Sequence, residues 1–154
     1  MASSTSTYLL YHAIFSTKKR ERILQKHVRS DLYAFMGGII KEIGGMPVLI
    51  NGTEDHVHIL AFLPKHVCIS DAMHSIKGRS SHWFNQTYNL PLHKLNWQEG
   101  YYIYTVSGSI LESTKKYIYL QEKHHRARGF DQEIANIESK MKLYSPGVDS
   151  YPGS

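Results

Sequence analysis

Four residues of this chain are suited to act together on a phosphate: His56 and His58, separated by one valine, and about sixty residues later Tyr117 and Gln121, four apart. On a strand alternate side chains share a face, so both imidazoles would project from the same side. On a helix positions four apart are neighbours, so the phenol and the amide would also lie together. The strand then offers two metal-ligating nitrogens, and the helix offers a phenolic nucleophile with a third ligand for the same ion. A three-ligand site leaves positions open for the nonbridging oxygens of a phosphodiester, which an in-line nucleophile can attack. Tyrosine near its ordinary pKa of about 10 is mostly protonated at neutral pH, so the metal or a basic side chain must assist it. No separate general base is identifiable from sequence. The rival tyrosines are Tyr119, about 100° round the helix, and Tyr101, Tyr102 and Tyr104 on a strand, none with a glutamine one turn later. Asp55, just before the first histidine, fits two roles equally, orienting a ligand or shaping a turn.

The elements that must position these residues follow from patterning. Tyr8 to Ser16 reads as a first strand, and Leu24 to Ile43 carries a helical apolar stripe ended by Gly44-Gly45. Met46 to Ile50 and His56 to Leu63 read as a hairpin with Asn51-Gly52 as its turn signal and Pro64 as its end. A second helix is expected from an N-cap at Ser70 to about Asn89, where Leu90-Pro91 forces an exit. Tyr101 to Val106 reads as the fourth strand, Ser109 to about Arg126 as the helix carrying Tyr117 and Gln121, and Asp131 to Leu143 as one more helix. The order predicts an α+β, ferredoxin-like βαββαβ antiparallel sheet with helices on one face plus the C-terminal helix bearing the tyrosine. Residues 1–144 are expected to form one domain, with 145–154 a disordered tail.

Composition bounds the partners. The 154-residue chain has a formal charge of +5 with ten histidines, which favours a polyanion. Basic residues cluster at Lys18-Lys19-Arg20, at Lys77 and Arg79, and at His124-His125-Arg126, and each cluster is also what a solvated face would show. Of these, Lys18, Lys19, Arg20, Lys77, Arg79 and Arg126 are the candidates for a DNA path. His124 and His125 follow Gln121 by about a turn, and a helix C-terminus favours such residues through its dipole as well. The single cysteine, Cys68, excludes an internal disulfide and a Cys-rich zinc framework and fits a reducing cytoplasm. The apolar run Tyr8 to Phe15 is too short to span a bilayer, so no membrane partner is expected.

Four runs carry a resemblance: Tyr11 to Lys18, Asn51 to His58, Trp97 to Tyr101 and Tyr117 to Arg126. In this order they resemble the single-tyrosine HUH transposases, the TnpA type of small bacterial insertion sequences, and their REP-associated relatives, over about Tyr8 to Arg128. The resemblance implies cleavage and rejoining of single-stranded DNA at hairpin-bearing ends through a 5′-phosphotyrosine intermediate. It assigns Tyr117 as nucleophile and His56, His58 and Gln121 as ligands of a divalent ion, Mg²⁺ or Mn²⁺. It also implies a homodimer joined through sheet edges, in which the tyrosine helix of one subunit can complete the histidine site of the other. Two other functions share these residues: a domesticated or regulatory hairpin-binding protein, and a replication-initiator-like nickase, which usually belongs to a longer chain with further domains.

Overall fold

The computed structural model describes residues 4–142, so the expected tail lies outside the described residues. Four strands form one antiparallel sheet: β1 (Leu10–Ser16), β2 (Met46–Gly52), β3 (His56–Phe62) and β4 (Tyr102–Thr105), in the order β2-β3-β1-β4. Between them run α1 (Lys26–Glu42) and α2 (Ile69–Tyr88); α3 (Leu111–Tyr119), α4 (Gln121–Ala127) and α5 (Phe130–Lys142) follow. This is the expected α+β fold, a four-stranded antiparallel sheet with helices. The chain divides into two compact units, Met1–Gln121 and Glu122–Ser154, so the whole sheet, α3 and Gln121 belong to the first, and α5 and most of α4 to the second.

Alternation along the strands sorts the first unit into two faces. Ala13 and Phe15 of β1 and Val57, Ile59 and Ala61 of β3 pack with Val28, Leu32, Met36 and Ile40 of α1 and Met73, Ile76 and Phe84 of α2 in one core. The apolar stripe of α1 therefore has its partner, which is what stabilises an amphipathic helix in a globular protein. The even-numbered residues of β1 and β3 face the other way. There Leu10 and Leu60 meet Val106 and Ile118 in a smaller cluster, edged by Leu111 and Tyr117 of α3.

Three local expectations are revised. Asn51 and Gly52 do not form the hairpin turn; both belong to β2, and the turn is Thr53-Glu54-Asp55, closed by the Thr53 N–H donating to His56 O at 3.0 Å. Gly52 is needed for close approach instead, because a Cβ there would run into His56 O and Val57 Cα. The second helix starts two residues earlier than an N-cap at Ser70 would set it, with Cys68 at the N-cap position and no side-chain cap, and it ends at Asn89 in a left-handed conformation (φ 40°, ψ 48°). The single helix expected from Ser109 to Arg126 is three pieces: a 3₁₀ turn at Gly108–Ile110, then α3, then α4, with Leu120 (φ −92°, ψ 22°) breaking the last two apart.

Candidate active site

β3 and its neighbour build the site. His56 and His58 lie on the face opposite α1 and α2, fully buried, with a ring nitrogen of each within 4.8 Å of the other. On the paired strand Ile14 stands opposite His58 and His12 opposite Leu60, so His12 shares their face. Its Nε2 lies 2.7 Å from His58 Nδ1, a hydrogen bond between two imidazoles. His12 is the residue that sequence reasoning missed as part of the site. The available signal was its place on a strand that pairs with the histidine strand, but register is set by pairing and is invisible in β1 alone.

The other histidine is held from the turn. Asp55 Oδ1 lies 2.7 Å from His56 Nδ1 and 3.0 Å from Thr53 Oγ1, which is itself 2.9 Å from that nitrogen. A carboxylate only accepts, so Nδ1 carries the proton in this assignment and the Nε2 lone pair points the other way. Asp55 thus does both things the sequence allowed: it shapes the turn and orients the histidine.

Gln121, fully buried at the end of the first unit, brings Oε1 to 3.2 Å from His56 Nε2. Bonds of about 2.1 Å at right angles would set adjacent octahedral ligand atoms about 3.0 Å apart, so this pair can share one cation. Imidazole nitrogens backed by a carboxylate and by a second imidazole, beside a neutral amide oxygen, are a donor set that fits a divalent metal ion.

α3 brings the tyrosine to the same place. The Tyr117 ring meets the His58 ring edge to face with centroids 6.0 Å apart, and the His12 ring at 6.5 Å. The helix is fixed by Asn51, whose Nδ2 donates to the carbonyls of Ile118 (2.9 Å) and Tyr119 (3.1 Å) at its C-terminal end. Among the rival tyrosines, Tyr119 is 72% exposed. Tyr102 and Tyr104 pair with Ile14 and His12 on the edge strand, and Tyr101 packs on the α1/α2 side.

Beyond this sheet, histidine pair and helix, the sequence pattern of the IS200-like transposases matches residues 5–121. The chain belongs to the IS200-like transposase family. No curated protein matches it. Among solved structures it is similar to a candidate transposase from Deinococcus radiodurans R1, 25% identical, covering 79% of this chain and 96% of that one with a TM-score of 0.64. It shares its fold with a REP-associated tyrosine transposase bound to a REP hairpin, 15% identical, covering 80% of this chain and 74% of that one with a TM-score of 0.59. The match to the family stops at Gln121, where the first unit ends.

The basic candidates of this transposase fall in different settings. Lys77 Nζ donates to the carbonyls of Gln98 (2.7 Å), Glu99 (3.1 Å) and Gly100 (2.8 Å), and burial pulls its pKa below the usual lysine value despite the charge of Glu99. Its three donors hold a loop. That loop reaches β1, where the Ser16 N–H and Oγ both donate to Gln98 Oε1, at 2.8 and 3.0 Å. Arg79 pairs with Glu42 of α1 at 2.7 Å. Lys18, Lys19 and Arg20 form an exposed turn at the end of β1, and Arg126 is exposed on α4 of the second unit. Among the described residues no helix is long and apolar enough to cross a membrane.

Proposed function

We propose that this transposase cleaves and rejoins single-stranded DNA at hairpin-bearing element ends, with Tyr117 as nucleophile and His56, His58 and Gln121 as ligands of Mg²⁺ or Mn²⁺. The observation that carries the reading is the Tyr117 ring 6.0 Å from His58, on the face where the Gln121 amide meets His56. When bound, the ion would neutralise and polarise the nonbridging oxygens of the scissile phosphate. The chain's own residues do the rest. Asp55 and Thr53 hold His56, His12 holds His58, and α3 presents the phenol from the side of the sheet that those imidazoles face.

Attack by the Tyr117 oxygen forms a phosphotyrosine bond to the 5′ side of the break. The bond to the 3′ oxygen breaks, and that oxygen leaves as a hydroxyl after taking a proton. The reverse step with a new 3′ hydroxyl rejoins strands without an external energy source. The DNA substrate is a single strand bearing a hairpin, which the strand's shape and backbone would position. The proposed assembly is a homodimer joined through sheet edges, and β2 and β4 are the edges of this sheet. The proposed place of action is the cytoplasm.

Incubating the protein and Mg²⁺ or Mn²⁺ with a single-stranded element end labelled on the 3′ side should give an SDS-resistant adduct. The adduct should vanish in Tyr117→Phe; its persistence there would remove Tyr117 from the mechanism. His56→Ala or His58→Ala should abolish cleavage while sparing most of the DNA binding.

A further inference from the structure

The backbone between β1 and α1 holds a conformation its residues do not favour. Lys19 (φ 55°, ψ 17°) and Arg20 (φ 53°) are consecutive left-handed residues, in a turn closed by the Glu21 N–H donating to Lys18 O at 3.3 Å. Such a turn ordinarily takes glycine or asparagine at both central positions, because a Cβ is crowded there. The surroundings enforce it. Buried Thr17 donates its hydroxyl to Glu21 O (2.7 Å) and its N–H to Asp55 O (2.8 Å), and the Lys18 N–H donates to Asn96 O (2.7 Å). Strain held this firmly with long cationic side chains in place of glycine points to a use for those side chains.

The turn lines a pocket. It is an open cleft of about 100 Å³ lined by Lys18, Lys19, Glu21, Ile23, Lys94 and Asn96. Three lysines and one glutamate line it, and among the described residues no carboxylate forms an ion pair with any of the three lysines. Its position relative to the histidines is fixed, because the strand end that carries the turn also bonds to Asp55, the residue holding His56.

We propose that Lys18, Lys19 and Lys94 form a clamp for one backbone phosphate of the single strand that Tyr117 cleaves. The clamp rests on the function proposed above, yet it can be tested apart from cleavage. The turn, strained at Lys19, places Lys18 and Lys19 in the lining, Lys94 lines the pocket from the α2–β4 connection, and the hydrogen bonds to Asn96 and Asp55 hold the turn at a set distance from the site.

The test uses the full chain carrying Tyr117→Phe, with binding to a fluorescent single-stranded oligonucleotide measured across a salt series. Lys19→Gly removes one cation and relieves the strain, so it should raise Tm by about 2–4 °C and reduce the slope of log K against log salt by about 0.7. Lys94→Gln should reduce the slope equally, while Lys65→Gln, away from the pocket, should leave it unchanged. Slopes unchanged in both pocket variants would overturn the clamp, as would a Tm gain in Lys19→Gly with undiminished DNA affinity. Inorganic phosphate, tested at constant ionic strength, separates the sources. Competition that is lost in the pocket variants supports a phosphate site, whereas phosphate binding with unaltered DNA slopes makes it a free-anion site and overturns the DNA assignment. Reduced slopes together with no adduct from the wild-type chain would sink the cleavage reading and leave the clamp standing.

Discussion

At the scale of single residues, the site is built by partners as much as by candidate ligands. His56 is aimed by Asp55 and Thr53, and His58 by His12. Such hydrogen bonds fix which ring nitrogen keeps its lone pair, and their loss commonly weakens metal binding by about 10–100-fold. We expect His12→Phe to raise the Mn²⁺ concentration needed for half-maximal adduct by a factor in that range. His12→Gln, which places an amide oxygen near the lost Nε2, should recover most of the loss; equal defects in both variants would leave His12 with a packing role only. The histidine pair was legible because two residues apart on a strand guarantees a shared face. His12 was not, since its part depends on the β1–β3 register.

At the scale of elements, α3 decides whether the tyrosine meets the histidines. It is a short helix whose C-terminal carbonyls bond to Asn51 of β2, and it ends at Leu120, one residue before Gln121. Helices this short draw little stability from their own hydrogen bonds, so the clasp and the Leu10, Leu60, Val106 and Ile118 cluster must hold it. Asn51→Ala should lower stability by about 1 kcal/mol in urea unfolding and slow adduct formation several-fold under single-turnover conditions. An unchanged adduct rate would show that α3 is placed without the clasp. The local pattern over Ser109 to Arg126 predicts one helix here, but periodicity does not mark a break at one residue. Asn51-Gly52 likewise carried a strong turn signal that pairing with β3 overrode, moving the turn to Thr53-Glu54-Asp55.

At the scale of the whole molecule, the first unit contains Tyr117, His12, His56, His58 and Gln121 from a single chain, with Tyr117 beside its own His58. Mixing Tyr117→Phe with His56→Ala chains, each defective in one half of the site, should therefore give no adduct. Restored adduct would mean that one subunit's tyrosine serves the partner's histidines.

The amino-acid sequence by itself determined the α+β order of elements, because apolar residues recur at strand and helix periods that local sterics and burial impose. It also determined the residue types on offer, since His56-Val57-His58 on a strand and Tyr117 with Gln121 near one helix turn are fixed by spacing alone. Only the tertiary structure decided what surrounds them: His12 against His58, Lys77 spent on three loop carbonyls, and Lys94 beside Lys18 and Lys19. Those neighbours are far apart in the chain. Sheet register and loop docking bring them together, and both are set by the packing of the whole unit rather than by any local preference.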